Sequence, residues 1–185
     1  MIISILWEDQ RGVQVKGFGP HDLLLKCLED DGVGERAKLN HLVRGLPKKG
    51  NGNVVKQLSL LAPRDGTGPH DGPVLGVLDW DEAPRLGGLP SSVCFAHARF
   101  HLGRQLHDAR SIVFLDRNVE TLVSEARALV GEPSFGRKPT ALERDHSLHK
   151  LVWSPEKDKR EALRRSVPTF GYLVQRVAEH IARAR

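Results

Sequence analysis

The chain has 185 residues, a formal net charge of +5 and a hydrophobic fraction of 39%. That is enough length and apolar content for one domain with its own core, and too much apolar content for a disordered tail. No apolar run approaches the roughly 20 residues needed to span a bilayer, so no membrane segment is expected.

In chain order, residues 2–7 read as a first β-strand, a short apolar run ending at Glu8. A polar turn follows, and Gly19 to Asp30 reads as a helix, with Pro20 in its first turn and Leu24, Leu25 and Leu28 as its apolar stripe. Gly32 and Gly34 stop it. Residues 41–46 predict a short second strand, 47–53 a basic glycine-containing loop, and Val54 to Leu61 a helix. Residues 63–73 are rich in Pro, Gly and Asp and read as a loop. The run Val74 to Leu78 is the next strand, ending at Asp79, with Asp81 two residues on. A loop at 84–90, a short strand at 91–95 and a helix at 96–106 are expected next. Residues 111–115 are a further strand, ending at Asp116, and Glu120 to Val130 a helix. After a loop at 131–140, residues 141–152 and 157–184 read as helical, with Pro168 capping or breaking the last stretch. Strands alternating with helices predict an α/β layer architecture with a mostly parallel sheet flanked by helices. The expected organisation is a single domain, with an α/β core over 1–130 and a basic helical extension over 131–185.

Ligands of open α/β sheets bind beyond the carboxyl ends of the strands. Glu8, Asp79, Asp81, Asp116 and Glu120 all follow predicted strands closely. Asp79 and Asp81 are two apart, so in an extended segment both carboxylates point the same way and can reach one hard cation. Mg²⁺ takes oxygen ligands and is typically held by one or two carboxylates plus substrate phosphate. Glu8 is a candidate third ligand or general base. Glu120, at the start of a predicted helix, in itself supplies favourable charge at a helix N-terminus.

The sequence pI is near 9.5. Basic residues concentrate in the C-terminal third, which favours a polyanionic partner such as nucleic acid. Lys138, Arg144 and Lys150 are the candidates there, and Lys49 in the loop Lys48-Lys49-Gly50-Asn51-Gly52-Asn53 is a fourth, able to meet phosphate. That loop is no Walker A motif, because no Lys-Ser or Lys-Thr follows its second glycine. His97 and His101 have helical spacing but lack the glutamate of a zincin motif and read as surface or packing histidines. Cys27 and Cys94 read as buried thiols of a reducing compartment, and Trp7, Trp80 and Trp153 as core anchors, with base stacking the alternative for Trp80. No signal peptide is expected, and a cytoplasmic location follows from these readings.

The run Ile5-Leu6-Trp7-Glu8 followed by Leu78-Asp79-Trp80-Asp81 resembles the glutamate and Asp-x-Asp signatures of Toprim domains, found in topoisomerases, primases and the nucleases associated with overcoming-lysogenization-defect ATPases. It resembles more closely a Toprim-like family encoded beside ATPase genes in prokaryotic operons. Shared features are the basic glycine loop at 48–53, the segment Leu115 to Glu120, the Lys138-Pro139-Thr140 segment running to Arg144 and Lys150, and Ser166 to Phe170. Toprim domains usually place glycine after the first glutamate, where this chain has Asp9. The resemblance implies Mg²⁺- or Mn²⁺-dependent phosphodiester chemistry on RNA or DNA. Glu8, Asp79 and Asp81 are its catalytic residues, and Glu8, Asp79, Asp81 and Glu120 its metal ligands. It also implies an ABC/AAA-type ATPase partner and a defence or toxin-like role. The alternative is a catalytically inactive docking subunit that binds the ATPase or nucleic acid. Homo-oligomerisation is left open.

Overall fold

In the computed structural model, residues 2–8, 19–61, 72–80, 112–115 and 118–183 are described. The expected strand at 91–95, the helix at 96–106, Asp81, Asp116, Cys94, His97 and His101 lie outside them.

Three of the apolar runs form strands buried along nearly their whole length: β1 (Ile3–Trp7), β3 (Val74–Asp79) and β4 (Ile112–Leu115). Strands covered on both faces need continuous apolar runs rather than alternation, which is the pattern these segments carry. With β2 (Val43–Pro47) they make a four-stranded sheet in the order β2-β1-β3-β4. Every pairing among these strands is parallel. The architecture is therefore α/β with a parallel sheet.

Helix α3 (Asn51–Leu61) packs on this sheet through Val54 and Leu58, which join Leu6, Val74, Leu78, Ile112 and Phe114 in one buried cluster. The close approach depends on Gly76 of β3. A Cβ there would lie 2.5 Å from Leu58 Cδ1 and 3.0 Å from Val54 Cγ1.

The chain divides into two compact units. The first comprises Met1–Gln10 and Val43–Asn118 and holds the sheet. The second comprises Arg11–Leu42 and Val119–Arg185. Helices α1 (Gly19–Asp30) and α2 (Arg36–Leu42) therefore belong with the C-terminal helices, although they precede most of the sheet in sequence. Those helices are α4 (Val119–Leu129), α5 (Ala141–Trp153), α6 (Lys157–Ser166) and α7 (Pro168–Arg183). α5, α6 and α7 all contact α1. Buried leucines of α1 supply one side of this core, and Leu148, Leu151, Leu163, Phe170, Leu173 and Val177 much of the rest.

Two buried polar groups order the second unit. The Gly19 N–H donates to Asp145 Oδ1 at 2.9 Å, which satisfies an orphan donor at the start of α1. A Cβ on Gly19 would meet the Asp145 backbone at 2.8 Å, so only glycine fits here. Arg160 donates from Nη1 to the Leu151 and Ser154 carbonyls, at 2.9 and 2.6 Å, and from Nε to Asp30. It thus binds the last turn of α5 and the end of α1 to α6.

Trp153 is not a core residue. It is 81% exposed. The buried face of α5 ends at Val152, and the next residue turns about 100° around the helix toward solvent. Trp7 is buried, and Trp80 packs edge-on against Phe114 with ring centroids 5.5 Å apart. Cys27 is buried, and burial pushes its thiol up to about 12, as an inert core cysteine requires.

Thr140 and Glu143 form a capping box at the start of α5. The Thr140 N–H donates to Glu143 Oε2 at 2.8 Å, and Arg137 grips the same carboxylate at 2.6 and 2.9 Å. The guanidinium, helped by the Thr140 N–H, holds the Glu143 carboxyl down to about 2 from an ordinary value of 4.5. A carboxyl depressed by folding stabilises the fold above its unfolded pKa, and this is lost as pH falls through the folded one. The stability advantage of the natural chain over Glu143→Gln is therefore expected to persist above about pH 4.5 and to fade between there and about pH 2. Urea unfolding of both proteins across this range checks it.

Candidate active site at the strand carboxyl ends

β1 and β3 are neighbours in register, with Trp7 opposite Val77. Glu8 is the first residue beyond β1, and its N–H donates to the Val77 carbonyl at 3.0 Å, carrying the ladder one step past the strand. Asp79 is the last residue of β3. Its N–H donates to Glu8 Oε2 at 2.8 Å. Parallel pairing of two runs that each end in an acid thus brings Glu8 and Asp79 together at the carboxyl edge, both partly exposed.

The basic loop is tied to the same edge. The Lys48 N–H donates to the Trp7 carbonyl and the Gly50 N–H to the Glu8 carbonyl, both at 2.8 Å. Lys49 has φ 58° and Gly50 φ 108°, so the chain turns through the left-handed region before α3 begins. Asn53 reaches back to donate from Nδ2 to the carbonyls of Lys48 and Lys49, at 2.9 and 3.0 Å. Lys49 itself is exposed.

Trp80, the first residue past β3, packs against Phe114 of β4, and Asp79 closes the strand. Asp81 lies outside the described residues. Among the described residues, no group of three or more His, Cys, Asp and Glu side chains is placed to hold a metal ion. Glu8 and Asp79 supply hard oxygen donors, the chemistry that Mg²⁺ and Mn²⁺ prefer, and fit part of such a ligand set.

The other sequence-predicted residues belong to the second unit. Glu120 lies in the first turn of α4, with Arg144 Nη1 at 3.2 Å and Lys138 Nζ at 3.4 Å. Lys150 pairs with Glu132, and that contact, ahead of Arg127, draws the Glu132 carboxyl below its ordinary range. The Arg144 side chain is only 11% exposed, so it serves packing and pairing within this unit. Lys138 and Lys150 are 81% and 41% exposed and keep access to solvent. His149 meets Asp22 at 2.8 Å, and Arg36 holds the same carboxylate at 2.9 Å.

Two features of this edge escaped sequence reasoning. The Asp79 N–H bond to Glu8 has no local signal, because 71 positions separate the two residues. Asn53 did carry a signal, an asparagine just inside a helix that follows a glycine loop.

No protein-family model, curated protein or solved structure matches the chain.

Proposed function

We propose that this protein is a metal-dependent nuclease with a Toprim-like core. In this reading it hydrolyses phosphodiester bonds of RNA or DNA, as the effector subunit beside an ABC/AAA-type ATPase in a prokaryotic defence or toxin-like system. The observation that carries the reading is the pairing of Glu8 with Asp79 at the carboxyl edge of a parallel sheet, with a lysine-bearing loop bonded to the same strand end. Strand-end acids beside a basic loop are the parts that hydrolysis of a phosphodiester needs: oxygen ligands, a base and a cation for the phosphate.

Asp79 and Asp81 would hold Mg²⁺ or Mn²⁺, with Glu8 completing the set. An ion held there would supply Lewis-acid polarisation of a phosphoryl oxygen and offset the charge developing on it. Glu8 acts on the attacking water, its carboxylate oriented by the Asp79 N–H. Lys49 meets a backbone phosphate. Taken by itself, the second unit offers Lys138 and Lys150 for sequence-independent attraction to nucleic acid.

A second reading, a non-catalytic docking subunit, is favoured by one observation. The Glu120 carboxylate is taken up by Arg144 and Lys138, as a structural glutamate would be. The two readings separate in a cleavage assay with Mg²⁺ or Mn²⁺, run with single- and double-stranded RNA and DNA and with any co-encoded ATPase present. Asp79→Asn is expected to abolish cleavage while leaving the unfolding midpoint in metal-free buffer unchanged. Cleavage that survives this substitution contradicts the nuclease reading at this site.

A further inference from the structure

Resting on the nuclease reading for the role of Lys49, we propose that Asn53 is a positioning residue, whose amide fixes Lys49 beside Glu8 so that the lysine meets one phosphate of a bound strand. The backbone at Lys49, φ 58°, is one that residues with a side chain rarely adopt. Asn and Asp relieve that conformation with a short polar side chain that bonds locally, and lysine has none. The loop must therefore be held from outside.

Helix α3 anchors it through the Asn53 and Val54 N–H groups, which donate to the Gly50 carbonyl at 3.2 and 3.3 Å, and three further ties act on Lys48, Lys49 and Gly50. The Lys48 N–H and the Gly50 N–H bond to the end of β1. Asn53 closes the third side, its Nδ2 donating at once to the carbonyls of Lys48 and Lys49. Both acceptors are carbonyl oxygens, which only accept, so the amide nitrogen must be the atom facing them. Gly50, at φ 108°, completes the turn where a side chain would be strained.

These Asn53 bonds are exposed to water, where a hydrogen bond adds little to net stability. Their effect falls on order. A lysine whose backbone is already fixed gives up less freedom when it meets a phosphate. The same loop bonds the carbonyl of Glu8, so its conformation also sets where Lys49 starts relative to the catalytic edge.

The test is fluorescence anisotropy of a labelled DNA duplex across a salt series, with metal omitted so that nothing is cut. The full chain is compared with Lys49→Ala, Asn53→Ala, Asn53→Asp and the Lys49→Ala/Asn53→Ala double variant. Each phosphate contact contributes about 0.9 to the slope of log K against log salt on duplex DNA. Lys49→Ala is expected to lower the slope by about that amount. Asn53→Ala and Asn53→Asp, neither able to donate to the carbonyls, are expected to weaken binding and lower the slope in the same direction. The double variant should bind no worse than Lys49→Ala alone, because Asn53 acts through Lys49. Hydrogen exchange at the Gly50 amide, expected to quicken in both Asn53 variants, reads the loop without any nucleic acid.

If Lys49→Ala changes the slope while the Asn53 variants match the natural chain, or if the two losses add in full, the positioning role is overturned and the phosphate role of Lys49 stands. If Lys49→Ala binds like the natural chain, the phosphate role of Lys49 fails and the proposal fails with it. Unchanged Gly50 exchange in both Asn53 variants also overturns the positioning role.

Discussion

Glu8→Gln is expected to leave the protein folded and to slow metal-dependent cleavage by about 10²–10⁴-fold, the range for removing a general acid or base. At about 1.36 kcal/mol per decade this is about 3–5 kcal/mol of lost transition-state stabilisation. Glutamine keeps a side-chain oxygen that can accept the Asp79 N–H, so the 2.8 Å bond at the strand edge survives. What disappears is the negative charge, and with it the ability to take a proton from water or to bind a cation strongly. Glu8→Ala differs, because it also removes the acceptor for Asp79, at a cost of about 1 kcal/mol. Single-turnover cleavage and thermal unfolding of both variants separate the roles. A fully active Glu8→Gln would remove Glu8 from the chemistry. An unfolded Glu8→Gln would make the residue structural.

Arg160→Met is expected to destabilise the second unit by about 3 kcal/mol, the low end of the range for removing one partner of a buried pair. The Arg160 side chain is 3% exposed and makes bonds to the carbonyls of Leu151 in α5 and of Ser154, the residue that caps it, as well as to Asp30. Methionine fills similar volume but donates nothing, so both carbonyls lose this donor. Asp30 retains Lys26 at 3.3 Å, which places the cost at the low end. Urea unfolding followed by circular dichroism measures it. Adding Asp30→Leu should recover part of the loss, because the pair is then removed together rather than halved. A loss below about 1 kcal/mol would put the contact in the class of surface ion pairs.

Strands β1, β3 and β4 were legible because each is a nearly continuous apolar run, and α1, α3 and α4 because their apolar residues recur at helical spacing. Helix α2 left no such trace: it has seven residues and buries only Leu39, so there was no stripe to read. The helical stretch expected over 157–184, with Pro168 capping or breaking it, is two helices. It breaks at Val167, and Pro168 opens the second one, where its missing N–H costs nothing. The strand-end rule located Glu8 and Asp79, since an acid that closes a buried run must fall at the sheet edge. The bond between them depends on strand order, which no local pattern encodes.

The C-terminal basic residues were legible as charge but not as partners. Arg160 and Arg164 pair with Asp30 and Asp31, more than a hundred positions away, and Arg144 and Lys150 pair with Glu120 and Glu132. Composition counts the cations and misses the carboxylates that the fold brings to them. Fewer of these cations therefore stand clear of carboxylates than composition suggested, and Lys138, though 3.4 Å from Glu120, is still 81% exposed.

Calorimetric titration of Mg²⁺ and Mn²⁺ into the natural chain and into Asp79→Asn/Asp81→Asn tests the metal-dependent reading most directly. Saturable binding to the natural chain that vanishes in the folded double variant is the expected result. A folded natural chain that takes up neither ion, or a double variant that binds them equally well, would contradict it.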